Sequence, residues 1–145
     1  MNLGIDIGGV ILTKAKKGET PIEIDGACDV IKKLSETYDI FIISKIKTEK
    51  MQGNIIKNLK DINFFEKTGI KIENIFFVKS IEEKVQKAIE LKVDIFIDDS
   101  YKVLKPMYDK GIKTICLNTK YKTEQKKQGK LVRRWNDVIE VINKL

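Results

Sequence analysis

Five short apolar runs constrain this chain more than any other feature. Leu3-Gly-Ile-Asp-Ile, Ile40-Phe-Ile-Ile-Ser44, Ile75-Phe-Phe-Val78, Asp94-Ile-Phe-Ile-Asp98-Asp99 and Ile112–Leu117 are too short for helices and lack the alternation of a half-exposed strand. Between them lie stretches with helical spacing. Ala27, Val30, Ile31 and Leu34 recur on one face from around Asp25 to about Tyr38, a second helix is expected from about Thr48 to Leu59, and Ile81–Leu91 carries Val85, Ala88 and Ile89 on one face. A short helix near Val103–Lys110 is stopped by Gly111, and a last one is expected at Trp135–Lys144. Buried strands alternating with helices predict an α/β fold, a Rossmann-like doubly wound parallel sheet of about five strands with helices on both faces. Val10–Thr13 and Pro21–Ile24 flank the Lys/Gly-rich stretch Lys14–Thr20 and predict a small β-hairpin flap after the first strand. Phe64-Phe65 and a turn at Gly69 are read as a connection.

The 145 residues suit one domain spanning 1–145, with one active site. No apolar run approaches the length that spans a bilayer, so no membrane association is expected. The N-terminus lacks the basic and long apolar regions of a secretory signal, and a cytoplasmic location is the expectation. Histidine is absent, which excludes imidazole bases, serine–histidine pairs and histidine-ligated metals and leaves carboxylates and lysines for acid–base work. Cys28 and Cys116 stand far apart without metal-ligand spacing and read as buried thiols. Lys and Arg total 28 against 21 Asp and Glu, a formal charge of +7 that favours anionic partners, although Lys-rich compositional bias explains it equally well.

In open parallel sheets, ligands bind beyond the carboxyl ends of the strands. Three of the predicted strands end there on polar residues, Asp6, Ser44 and the pair Asp98-Asp99. Each alone would be a turn or cap residue; together they describe a site. Magnesium prefers oxygen ligands and takes one or two carboxylates plus water and substrate phosphate, which Asp6 with Asp98 or Asp99 would supply. Ser44 and the backbone N–H groups after it, beginning with Lys45, are placed to receive phosphate oxygens, and Gly9 in the tight loop is a further candidate. Lys84, at the start of the helix before the fourth strand, is the cation best placed to neutralise a phosphoryl group.

This set resembles the haloacid dehalogenase superfamily. Its first motif, Asp-x-Asp-x-Thr or Val, is similar to Asp6-Ile7-Gly8-Gly9-Val10, its second to Phe41-Ile-Ile-Ser44, its third to Lys84 and its fourth to Ile95-Phe-Ile-Asp98-Asp99. The likeness runs over about residues 2–118, with Trp135-Asn-Asp-Val resembling the closing helix of smaller nucleotidase-like members. It implies a magnesium-dependent phosphohydrolase in which Asp6 attacks phosphorus, forms an aspartyl-phosphate and is freed by water. Ser44 and Lys84 would bind the transferred group, and Asp6, the Gly8 backbone carbonyl, Asp98 and Asp99 would hold magnesium.

The second motif position departs from the family, because Gly8 stands where ester phosphatases carry the aspartate that protonates the leaving group and activates water. Three outcomes are open: a substrate with a good leaving group, such as an acyl phosphate or anhydride; a slow ester phosphatase helped by Thr13, Lys14 or Lys16 of the flap; or a non-catalytic phosphate- or nucleic-acid-binding module. Only 37 residues lie between Asp6 and Ser44 and 39 between Ser44 and Lys84, too few for a large cap. The expected substrate is a phosphorylated small molecule or nucleotide. Lys120, Lys122, Lys126, Lys127, Lys130, Arg133 and Arg134 form a basic 120–134 segment that could contact a nucleic-acid end, with Tyr121 and Trp135 as stacking surfaces. Thr119–Lys130 is expected to be a surface loop.

Overall fold

The strand that ends on Asp6 lies near the middle of the sheet. In the computed structural model, which describes residues 1–118 and 129–145, β1 (Asn2–Ile5) is paired in parallel on one side with β2 (Asp39–Lys45) and on the other with β4 (Ile95–Asp98). With β3 (Ile75–Val78), β5 (Lys113–Leu117) and β6 (Lys130–Val132) the strands form one parallel six-stranded sheet in the order β3-β2-β1-β4-β5-β6. The chain winds one way from β1 to β3 and returns past β1 to β4, so the reversal falls between β1 and β4. Ligand crevices open at such a switch point.

Alternation along the strands divides the apolar residues between two faces. Ile42, Ile95 and Ile97 join Leu3, Ile5 and Ile115 in one core, under α1 (Ala27–Ser35), α3 (Phe64–Thr68) and the C-terminal α6 (Val138–Asn143). Ile43, Phe96 and Cys116 point the other way, into a core shared with α4 (Ile81–Glu90) and α5 (Tyr101–Asp109). Helices on both faces explain why the strands are apolar throughout. The remaining helix, α2 (Glu49–Asp61), starts on Thr48, whose hydroxyl accepts from the Met51 N–H at 3.2 Å. Among the described residues no helix is long and apolar enough to cross a membrane.

Four local differences from the sequence reading have physical causes. The sixth strand is only three residues long and sits between basic residues, so it carried no apolar run. Asn118 N–H bonds the Val132 carbonyl at 2.9 Å, and Gly129, at φ 108, leaves no room for a Cβ against the Thr114 backbone. Helix α3 replaces the expected connection; five residues between left-handed Asn63 and Gly69 are too few to display a period. Helix α1 begins after left-handed Gly26 instead of at Asp25 and ends at Ser35, and a 3-10 turn at Trp135–Asp137 precedes α6. The flap is present, but as isolated bridges: Leu12 opposes Glu23, Thr13 N–H bonds the Ile22 carbonyl at 2.8 Å, and Ile24 N–H bonds the Ile11 carbonyl at 2.8 Å.

Candidate functional site

Sheet geometry alone brings Asp6 and Asp98 together. Adjacent parallel strands place residues of like register about 4.8 Å apart, and the Asp6 N–H continues the β1–β4 ladder by donating to the Ile97 carbonyl at 3.0 Å. Lys84 arrives from α4. That helix is capped by Ser80, whose hydroxyl accepts from the Glu83 N–H at 3.1 Å, while the Glu83 carboxylate accepts from the Lys79 N–H at 2.7 Å. The cap fixes where the first turn sits and aims Lys84 inward. Its Nζ lies 2.9 Å from Asp6 Oδ1 and 2.9 Å from Asp98 Oδ2, with only 2% of the residue exposed.

Two further residues support this lysine, and neither was singled out from sequence. The Phe96 ring lies 5.5 Å from Lys84 Nζ, in cation–π contact. That ring occupies the space a Cβ on Gly4 would fill, the nearer Phe96 carbons standing within 2.7 Å of such an atom. Gly4 looked like one more residue of an apolar strand; its role depends on a neighbour 92 positions away.

Asp98 is held at both oxygens, by Lys84 and by the Ser100 N–H at 3.0 Å to Oδ1. Asp99 is held more loosely. Its backbone carbonyl accepts from Asn118 Nδ2 at 2.8 Å, and its carboxylate pairs with Lys14 Nζ at 2.8 Å across the flap, where the Lys14 side chain is 68% exposed. Among the described residues, Asp6, Asp98 and Asp99 form a group whose ligand oxygens all lie within 4.8 Å of one another.

Burial acts on the charge state of Asp98 and Asp6. It pushes the Asp98 carboxyl well above the ordinary 3.8, to about 8, and the nearby Asp6 carboxylate adds to the rise, outweighing the Lys84 ammonium at 2.9 Å. Burial likewise raises Asp6 against the opposing pull of Lys84. One buried ammonium does not compensate two buried carboxylates. Lys14 is shifted upward, mainly by its hydrogen bond to Asp99, and stays protonated.

Ser44 ends β2 and is buried; with Lys45, Gly8, Asp6, Lys84 and Asp98 it lines a cavity of about 380 Å³ at the carboxyl edge. Its hydroxyl makes no side-chain hydrogen bond to another described residue. Gly9 is placed differently from expectation. Its N–H is committed to the Leu12 carbonyl at 2.7 Å, and it borders a neighbouring cavity, so it offers no donor to a phosphate in the first. What its φ of 79° and missing side chain provide is clearance, since a Cβ there would collide with the Asp99 carboxylate. Gly8 is the opposite case: nothing lies within 4 Å of a Cβ built on it.

Trp135 offers no stacking surface. It is fully buried, and its indole N–H donates to the Val10 carbonyl at 2.7 Å, tying the C-terminal segment under the flap. Lys120, Tyr121, Lys122, Lys126 and Lys127 lie outside the described residues. Cys28 and Cys116 are buried free thiols, each pushed up to about 12, mainly by burial, and inert at neutral pH.

The residues between Asp6 and Ser44 are consumed by the flap and α1, and those between Ser44 and Lys84 by α2, α3 and β3, so neither of these two segments forms a cap over the site. No protein-family model and no curated protein matches the sequence. Solved structures do. A HAD-hydrolase, YfnB, from Bacillus subtilis, described with bound magnesium, superposes with a TM-score of 0.63 at 19% identity over 83% of this chain and 55% of its own. A haloacid dehalogenase-like family hydrolase from Xanthomonas campestris gives 0.64 at 13% identity, over 88% of this chain and 56% of its own. A dehalogenase in an intermediate complex gives 0.63 at 14%, over 83% and 56%. The chain thus spans little more than half the length of these proteins, and what it shares with them is the haloacid dehalogenase-like fold.

Proposed function

We propose that the protein is a magnesium-dependent phosphohydrolase that works through an aspartyl-phosphate on Asp6. The observation that carries this reading is the Lys84 ammonium, buried 2.9 Å from both Asp6 and Asp98 at the switch point of the sheet. A lysine and two acids buried together are costly to a fold and are retained where charge must be managed.

Magnesium fits the donor set. Three carboxylate oxygens within 4.8 Å of one another are hard oxygen donors close enough for one such ion to gather by small side-chain movements. With all three carboxylates ionised, as metal binding requires, three carboxylates and two ammoniums leave the cluster at −1, and at −2 once exposed Lys14 swings aside. Asp6, Asp99, Asp98 and the Gly8 carbonyl would hold the ion. Asp99 can turn toward it with least loss, because among the described residues only an exposed lysine holds its carboxylate. When bound, magnesium neutralises charge on the phosphoryl oxygens. That the B. subtilis protein of like fold is described with magnesium supports the choice of ion.

The chain's own groups do the rest. An Asp6 oxygen attacks phosphorus as the bond to the leaving oxygen breaks, and the leaving group departs with the electron pair. Ser44 Oγ and Lys84 hold the transferred group, with Lys45 at the cavity wall. Water then attacks phosphorus, releasing phosphate and restoring the Asp6 carboxylate. No side chain at position 8 protonates the leaving oxygen, so anhydrides, acyl phosphates and aryl phosphates should outpace alkyl esters. Phosphate release from an aryl phosphate in magnesium, abolished by EDTA, is the expected result; no release from any of these classes would overturn the reading.

The raised carboxyls give a second expectation. Asp98 binds its proton more tightly in the folded protein than in the unfolded chain, so its contribution favours folding at low pH and declines from about pH 4 to about pH 8. Metal-free protein should therefore melt at a lower temperature at pH 8 than at pH 5.5. Magnesium, which binds the ionised carboxylates, should raise the Tm by several degrees at pH 8 and by less at pH 5.5. Calorimetric scans at the two pH values, with magnesium or EDTA, measure both effects. An equal magnesium effect at both would separate the metal from these carboxylates.

A further inference from the structure

A second cavity, of about 700 Å³, lies beside the Asp6 site, and the two share Thr13, Lys14, Asp99 and Ser100 as a common wall. Its far side is built by the segment after β6. The parallel register Leu117↔Val132 and the Asn118–Val132 hydrogen bond deliver Arg133 and Arg134 to the same carboxyl edge of the sheet as Asp6 and Asp98. Both arginines line the cavity, with Asn118 and Asn136, over a floor that includes Ile24 and Leu117.

We propose that this cavity is an anion subsite, and that the substrate of the Asp6 site is a small phosphomonoester carrying a second phosphate a short spacer away. The proposal rests on the phosphohydrolase reading. The phosphoryl group to be transferred would lie beside Asp6, Ser44 and Lys84, and the second phosphate beside the two arginines, with Lys14 between. Charge and donor geometry carry the assignment. The cavity's charged lining comprises Lys14, Arg133 and Arg134 against Asp25 and Asp99, and Asp99 is already paired with Lys14. Arg134 meets Asp137 through Nε at 3.3 Å and one terminal nitrogen at 3.5 Å, an exposed pair that uses two of five guanidinium N–H donors. Guanidinium forks bind phosphate bidentately, and the Asn136 amide at the cavity wall adds a neutral donor. Among the described residues a small bisphosphate suits this lining better than a nucleic-acid strand, because the one aromatic ring bordering it there, Trp135, is fully buried and has no face on which a base can stack.

The test compares hydrolysis of α,ω-alkanediol bisphosphates of increasing length with alkyl monophosphates of matching length, at constant ionic strength. A preference of about tenfold or more in KM for bisphosphates of one favoured length is expected, and Arg134→Gln should remove most of it. Lys130→Gln, which deletes an exposed cation outside the cavity, should leave the preference intact. Equal KM values for the two series, or an equal loss in both variants, overturns the subsite. A preference shown only by 5′-phosphorylated oligonucleotides also overturns it, in favour of a nucleic-acid end. Calorimetric binding of the same compounds to the Asp6→Asn chain with magnesium separates the two proposals. Selective bisphosphate binding without turnover in wild type keeps the subsite and sinks the hydrolase reading; turnover without selectivity does the reverse.

Discussion

Asp6→Asn should lower magnesium-dependent phosphate release by on the order of 10⁴-fold, as removal of a nucleophile that acts within a concerted set does. The amide keeps the shape of the carboxylate and can still receive the Lys84 ammonium through its oxygen, now 2.9 Å away. What it lacks is the anion that bonds to phosphorus. With the carboxylates ionised, as metal binding requires, the substitution also takes the cluster of three carboxylates and two ammoniums from −1 to neutral, so magnesium affinity should fall with activity. Stability should not fall. Burial raises the Asp6 carboxyl in the folded protein, which means that the ionised form opposes folding at neutral pH, and an uncharged amide relieves that cost. Loss of turnover together with an unchanged or higher Tm in EDTA is the expected pair of results. Turnover within tenfold of wild type would place the nucleophile elsewhere, and a collapse in Tm would make Asp6 structural.

Much of the fold was legible in the residues because burial on both faces writes a continuous apolar run, and β1 to β5 are such runs. Each ends near where the sequence placed it. β6 was not legible, since an edge strand of three residues needs only backbone partners and carries no pattern of its own. Its absence from the sequence reading had a consequence at the site. Without β6, Arg133 and Arg134 belong to a basic loop, and their charge points to nucleic acid. With it, they become one wall of a cavity bordering Asp6. Trp135 was misjudged for a related reason, because its burial under Val10 is a contact across 125 positions.

The candidate site was more readable than the fold around it. Asp6, Ser44 and Asp98 sit at strand ends, and strand ends of a parallel sheet converge, so three local observations became one cluster. Lys84 followed from its place at the start of a helix that feeds the next strand. Gly4, Phe96 and Gly9 could not be read in the same way. Each acts by steric fit with a residue remote in sequence: Gly4 beneath Phe96, Phe96 beside Lys84, Gly9 against Asp99. A missing Cβ leaves no mark in a hydrophobic pattern.

Gly8→Asp should raise hydrolysis of alkyl phosphate esters by about 10²-fold or more, within the 10²–10⁴ that a positioned general acid contributes. Space is available, since nothing lies within 4 Å of the new Cβ and Gly8 is not in the left-handed region that would strain a side chain. Position 8 lines the same cavity as Asp6, Ser44 and Lys84, so an added carboxyl would stand in the cavity proposed to hold the phosphoryl group. Its neighbours favour the required protonation state. Asp6, Asp98 and Asp99 repel a fourth negative charge and hold the new carboxyl above its ordinary value, which keeps it a proton donor closer to neutrality. The opposing effect is stability: another acid in an acidic cluster costs folding free energy without metal, partly offset by the roughly 0.4–1 kcal/mol gained when glycine is replaced at a compatible backbone position. The gain in rate should depend on the leaving group. Alkyl esters, whose leaving oxygen needs the proton, should gain most, and acyl phosphates, whose leaving group departs as a stable carboxylate, should gain little. A uniform gain across both classes would mean that the introduced carboxylate acts through metal affinity. No gain with alkyl esters would show that proton transfer is not what limits this site.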